Sequence, residues 1–308
     1  ARRERLFMKK KISVILLLTI FSMPLLSAPP DYTEEVPTKK RRKKNTPRSG
    51  SSKSSSKVIK QKGFGRWTFE GAIESVDVES FSKNDNASFY KMNLYYRPQP
   101  DLYVKLGYYY GFADSLNLNE NQSRKGNLDF RVVANWLSWS NGAFNSKLDL
   151  FGGVSLKENS SNFGSSRTDK MVGFETSRNF SSLIFSLGHE YHMTGKPKNQ
   201  GELAVGDIRK YYGVLGWKVT PDINFALEAV HCEIAPTSKT GDSLKRKMSS
   251  GHLSPWLFLN LSKKFDFILG AVFRTNKIRQ EEELKRARLW SYQGLYGNSV
   301  FTKINLNI

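Results

Sequence analysis

Apolar and polar residues alternate along most of the chain beyond residue 63, and the alternation is clearest over residues 87–112. Tyr90, Met92, Leu94 and Tyr96 alternate with Phe89, Lys91, Asn93 and Tyr95. After Arg97-Pro98-Gln99-Pro100-Asp101, Leu102, Val104, Leu106, Tyr108, Tyr110 and Phe112 alternate with Tyr103, Lys105, Gly107, Tyr109 and Gly111. Side chains of a strand point to opposite faces at a period of two, so each segment has one apolar and one mixed face. Proline fixes φ and cannot donate to a ladder, which makes 97–101 a tight turn. Two such segments of about ten residues suit a membrane-crossing β-hairpin, with one face for lipid and the other for a wet interior.

The same texture predicts twelve strands: 64–78, 87–97, 102–112, 127–138, 147–157, 168–178, 182–192, 207–219, 223–234, 251–263, 267–276 and 296–308. Tight connections are expected at 98–101, 179–182, 220–222 and 264–266, and longer polar ones at 113–126, 193–206, 235–250 and 277–295. Short turns at one end and long loops at the other are the asymmetry of an outer-membrane barrel. The connection 139–146 fits poorly, since it matches the first long-side loop, 79–86, in length. Leu128, Phe130, Val132, Ala134 and Trp136 share one face of the fourth strand, opposite Asp129, Arg131 and Asn135. In the eleventh, Phe267, Leu269, Ala271 and Phe273 oppose Gly270 and Arg274. Trp67, Trp136, Trp217 and the tyrosines ending the second and third strands fit interfacial girdles, or simply the preference of aromatics for any sheet.

Upstream of residue 63 the pattern is different. From Met8, Lys9-Lys10-Lys11 precede the apolar run 12–21 and a small-residue stretch to Ala28, as in a secretory signal cut after Ser27. The run is too short for an ordinary membrane-spanning helix. Residues 28–62 hold the basic run 39–44 and the stretch SGSSKSSSK at 49–57, which bury no core and read as a flexible cationic linker in the periplasm. The expected division is thus 1–27 signal with an upstream extension, 28–62 linker and 63–308 barrel.

Charge follows that division. The net +20 splits into +13 over residues 1–62 (17 Lys/Arg, 4 Asp/Glu) and +7 over 63–308 (31 and 24). An export signal ahead of 39–44 argues against a nucleic-acid partner; the run is a solvated spacer or touches anionic wall or lipid surfaces. The residual +7 is a solvated surface or an anion-preferring lumen. The single cysteine, Cys232, excludes an internal disulfide and a cysteine-rich zinc site.

The last predicted strand, SVFTKINLNI, places Val300, Thr302, Ile304, Leu306 and Ile308 on one face. This resembles the C-terminal strand of Gram-negative outer-membrane β-barrel proteins, which usually ends in Phe where Ile308 stands here. The resemblance covers 63–308 by architecture. It implies an all-β fold, a closed antiparallel transmembrane barrel, outer-membrane lipid and lipopolysaccharide as surroundings, and an assembly machinery that reads residues 299–308.

Enzyme chemistry has one candidate. In His189-Glu190-Tyr191-His192 the histidines face opposite sides of a strand and cannot share a metal. His192 and Thr194 share a face, similar to the His-x-Ser pair of outer-membrane phospholipases and lipid A deacylases. Those enzymes use a serine on the lipid-facing wall, whereas Leu183, Phe185 and Leu187 put His192 on the lumen side. A histidine at a strand end near solvent is the plainer reading. No phosphate-binding or dinucleotide loop occurs, and neither cofactor nor metal is expected.

The lumen face is the stronger functional candidate. Its expected lining is Lys91, Lys105, Asp129, Arg131, Asp149, Glu175, Glu190, Lys210, Lys218, Glu228, Arg274 and Lys303, with Glu70, Glu74 and Lys147 on the same side. Both signs are present, so the interior is either a narrow charge-selecting pore or a plug of ion pairs. The expected function is a passive channel for small polar or anionic solutes. The alternatives are a lipid hydrolase at His192 and Thr194, an adhesive barrel working through 235–250 and 277–295, and a soluble β-sandwich.

Overall fold

The computed structural model describes residues 66–78, 85–113, 124–141, 144–158, 163–238, 242–276, 278 and 281–308. The signal segment 1–27, the linker 28–62 and its basic run 39–44 lie outside the described residues.

Strict alternation produces antiparallel strands, and among the described residues twelve of them close into one ring. They are β1 (Arg66–Val78), β2 (Asp85–Gln99), β3 (Leu102–Ala113), β4 (Leu128–Asn141), β5 (Phe144–Leu156), β6 (Asp169–Phe180), β7 (Leu183–Met193), β8 (Ile208–Lys218), β9 (Ile223–Ile234), β10 (Met248–Ser262), β11 (Phe265–Arg274) and β12 (Gly297–Asn307). Each pairs with its neighbours in sequence, and β12 closes on β1 with Gly71 opposite Ile304 and Ala72 opposite Lys303. The ends meet where Ile308 N–H donates to the Trp67 carbonyl at 2.9 Å. Closure leaves no unpaired edge, which is what allows a sheet to sit in hydrocarbon. It rules out two stacked sheets with a dry centre.

One boundary is corrected. The expected connection 139–146 does not exist at that length, because β4 runs to Asn141 and β5 starts at Phe144. A bulge between Asn135 and Leu137 shifts the register, so Trp136 and Leu137 in succession are both exposed, and Trp139 with them. The broken alternation hides the continuing strand. With that change every even-to-odd connection (100–101, 142–143, 181–182, 219–222, 263–264) is shorter than every odd-to-even one (79–84, 114–127, 157–168, 194–207, 235–247, 275–296). At the first turn the ladder runs on through Pro98, with a register shift between Tyr96 and Gln99, so Pro100-Asp101 forms the turn.

The outward face is apolar. Ile73, Met92, Leu106, Phe130, Val172, Phe174, Leu215, Leu269, Phe273 and Val300 are all exposed. So large a continuous apolar surface suits lipid rather than water. Trp67, Trp136 and Trp217 point outward near the short-turn end, with Trp67 stacked on Tyr96 at 4.4 Å. Near the opposite end, Phe112 packs between Tyr90 (5.5 Å) and Tyr110 (4.9 Å). Aromatics thus border the apolar band on both sides, as girdles do.

Long-loop segments do not simply project into solvent. Helix α1 (Glu281–Ala287) and residues 288–296 turn into the barrel mouth, where Leu284, Leu289, Trp290, Leu295 and Tyr296 are buried. Leu203, Val205, Leu244 and Phe163 from three other long connections join them, as do Val78, Phe89, Ile208 and Ile234 from the wall. Trp290 stacks on Tyr296 with centroids 3.7 Å apart. The expectation of polar outer loops is corrected here: these segments carry their own apolar core and fill the long-loop end of the barrel.

Candidate functional site

Below that apolar cap lies a polar cavity of about 390 Å³, enclosed by the barrel wall. Parity puts the charged face of each strand on it. Of the expected lining, Lys91, Lys105, Asp129, Arg131, Glu190, Lys210, Glu228 and Lys303 border this cavity, together with Glu70 and Glu74. Four others face inward without bordering it. Asp149 accepts from Asn135 Nδ2 at 2.8 Å, and Glu175 accepts from the Tyr212 hydroxyl at 3.1 Å. Lys218 lies opposite Asn224 on the inner face near the short-turn end, and Arg274 lies opposite His252, itself a cavity residue. Lys147, opposite Ser177, is on the inner face of β5.

The cavity is organised by a hub at Glu190 on β7. Its carboxylate takes two hydrogen bonds from Arg131 (3.3 and 3.2 Å), sits 3.8 Å from Lys210 Nζ and lies 3.2 Å from His192 Nε2. Arg131 belongs to β4 and therefore crosses β5 and β6 to reach it. Its register partner on β5 is Gly153, and Glu190's on β6 is Gly173, so the wall is low at those two positions and the span runs over Phe151 and Met171 beside them. The guanidinium lies over the Phe151 ring, 4.7 Å from its centroid, and against Met171 Sδ at 3.3 Å. Substituting these glycines is obstructed: a Cβ on Gly173 would stand 2.3 Å from the His189 carbonyl oxygen, and one on Gly153 2.3 Å from that of Phe130. A second pair, Lys91 Nζ and Glu74 at 2.5 Å, is joined by Ser299 Oγ donating to Glu74 at 2.7 Å. Buried charges are thus mostly paired, as desolvation requires.

His192 is corrected from a solvent-side histidine to a buried one. Its ring lies between Glu190 and the hydroxyl of Tyr292, which meets Nδ1 at 3.0 Å. Tyr292 belongs to the inward-folded segment, so this contact ties cap to wall. Burial drives its phenol well above the usual tyrosine pKa, so it stays a neutral hydroxyl. Thr194 Oγ1 donates to the Val205 carbonyl at 2.8 Å. The pair is inside the barrel, with both of its members committed to other partners. His189 faces outward against Tyr211 at 4.7 Å, so the two histidines do point apart. Cys232 is a buried free thiol on the inner face. Among the described residues no group of three or more His, Cys, Asp or Glu is placed to hold a metal ion.

A latch missed by strand periodicity holds the cap. Arg167, from the connection before β6, pairs with Asp169 at 2.9 Å and Glu202 at 3.6 Å and donates to the Ala287 carbonyl at 2.7 Å. Burial alone would lower the Arg167 pKa, but these two carboxylates raise it, so the guanidinium stays charged. Glu202 also accepts from Ser165 Oγ (2.8 Å) and the Ser166 N–H (3.0 Å), and Arg288 approaches it at 4.0 Å. Three long connections thus meet at one fully buried carboxylate. The available signal was apolar residues in nominal loops, such as Leu289-Trp290 and Leu203-Ala204-Val205.

No protein-family model matches the chain, and no curated protein sequence does either. An outer membrane channel from Pseudomonas putida F1 superposes with a TM-score of 0.56 at 10% identity, covering 80% of this chain and 96% of that one. The NanC porin (TM-score 0.46, 10% identity, 79% and 100%) and OccAB4 of Acinetobacter baumannii (0.39, 10%, 80% and 99%) align less well. The first of these likenesses gives the present chain the closed-barrel fold of an outer-membrane channel.

Proposed function

We propose that the protein is a passive channel of the bacterial outer membrane, admitting small polar or anionic solutes. The observation that carries this reading is a charged cavity of about 390 Å³ inside a closed barrel whose outer face is apolar. A wet, charge-lined interior lets a solute exchange hydration for side-chain contacts while the strands keep lipid out. The pore-lining set is the one named above, with Arg131, Lys210 and Glu190 at its centre. The cap narrows the outer mouth and restricts passage to small solutes.

In this reading the short turns face the periplasm. β1 then starts on that side, which leaves the linker and its basic run in the periplasm. The C-terminal strand, residues 299–308, is the segment offered to the assembly machinery. Its exposed Val300, Ile304, Leu306 and Ile308 meet outer-membrane lipid, and lipopolysaccharide contacts the outer rim. The hydrolase reading finds no support, because His192 and Thr194 face the interior and a lipid ester would lie outside. The protein acts without catalysis. Purified protein in a planar bilayer should give discrete conductance steps and migrate heat-modifiably on a gel. A sealed bilayer with correctly folded protein would refute the channel.

A further inference from the structure

The inward-folded segment 288–296 rests on the barrel wall through three successive residues. Tyr292 meets His192 Nδ1 of β7 at 3.0 Å, and Gln293 hydrogen-bonds the Glu74 carboxylate of β1. Gly294 lies against the His252 ring of β10, so close that a Cβ there would stand 2.5 Å from Nδ1. Its φ of 72° is in the left-handed region that favours glycine, and its carbonyl accepts from Ser250 Oγ at 3.4 Å. Of the four histidines, His189 and His231 lie beside Tyr211 on the outer face. The two that face the cavity are the two beneath this strap.

A proton would act differently on those two rings. His192 has carboxylates at hand: Glu190 lies 3.2 Å from Nε2, and Asp129 of β4 faces the ring. Its register partners Met171 and Ile208 carry no charge. With Nε2–H given to Glu190, the neutral ring accepts from the Tyr292 hydroxyl at Nδ1; the protonated ring donates there, to the same oxygen. That contact survives either way.

His252 is placed otherwise. Arg274, its register partner on β11, and Lys210 of β8 bring positive charge to it. Glu74 is the facing carboxylate, and it already serves Lys91, Ser299 and Gln293. On β9 its partner is Val230, flanked by the thiol Cys232 and by Glu228, which faces Lys210. The strap above, Ser291 to Leu295, carries no charge. A proton on His252 is therefore a buried charge beside like charges while the strap lies over it, and a hydrated one once the strap lifts.

We propose that His252 is a proton switch for the cap: neutral, it lets residues 288–296 lie across the cavity; protonated, it drives them off and opens the outer mouth. The effect on current rests on the channel reading.

The test uses full-length folded protein in a planar bilayer at about pH 7.5 and about pH 4.5, a range that spans imidazole protonation. Open probability should rise about tenfold in acid, a modest weight for one buried charge. His252→Gln keeps a neutral polar side chain and should abolish the rise. His252→Lys carries its charge at both pH values and should be open at both. A nitroxide on Ser291→Cys, with Cys232→Ser, follows the strap without any current; its mobility should increase in acid only where His252 is present. Heat-modifiable migration confirms that each variant folds. A wild-type channel indifferent to pH, or a His252→Gln channel that keeps the acid response, overturns the switch and leaves the channel standing. A nitroxide freed in acid and held by His252→Gln, without conductance at either pH, supports the switch and overturns the channel.

Discussion

Arg131 on β4 and Glu190 on β7 are joined by two hydrogen bonds although two strands separate them. Gly153 and Gly173 lower the inner wall at the two register positions, and the guanidinium rests on Phe151 and Met171 along the path. The pair sets the charge balance of the cavity. Removing Glu190 as Glu190→Ala frees Arg131 and Lys210 together and should shift the zero-current potential in a salt gradient toward anion preference. Arg131→Ala should shift it toward cations. Equal potentials in both variants would mean that the pair does not border the ion path.

Glycine on this wall is itself a requirement. At Gly188 a Cβ would lie 2.1 Å from Cζ of Tyr212, its register partner on β8. Gly188→Val forces the ring into the cavity and should cost about 1–3 kcal/mol of overpacking. The expected result is a lower heat-modification midpoint together with reduced conductance. An unchanged midpoint would show that Tyr212 is free to move aside.

Glu202 is the point at which the cap is held. Glu202→Gln leaves Arg167 with Asp169 as its one paired carboxylate among the described residues and weakens a charge-assisted contact worth about 1.5–3 kcal/mol. Single-channel current should rise or flicker as the cap loosens, and protease cleavage near residues 278–296 should accelerate. A quiet trace with unchanged proteolysis would place the cap's anchorage in its apolar core instead.

The outward face predicts the reverse of the inner one. Leu106 is exposed between inward Lys105 and Gly107. Leu106→Arg should destabilise the barrel by about 2–4 kcal/mol in a lipid unfolding titration, the cost of a cation at mid-bilayer. A cost near zero would remove Leu106 from the lipid face.

Strand identity and facing were legible from sequence because the period of two survives in single residues: Lys91, Asp129 and Glu190 alternate with Met92, Phe130 and Tyr191. Where the backbone departs from that period, legibility ends. The bulge at Asn135/Leu137 makes Trp136 and Trp139 share a face despite odd spacing, so the end of β4 reads as loop. The cap was illegible for another reason. Its core joins Phe163, Leu203, Leu244 and Leu289 from four connections, and no local pattern says that these meet. Glu202 and Arg167 look like solvated loop charges until the chain closes around them.

The central claim is that odd and even positions of one strand see different solvents. It is tested by cysteine labelling during single-channel recording, with Cys232 first replaced by Ser. A membrane-impermeant charged methanethiosulfonate should change the current through a channel carrying Lys105→Cys and leave Leu106→Cys untouched. Equal reactivity at both positions, or a current indifferent to labelling at 105, would contradict the wet interior and the channel with it.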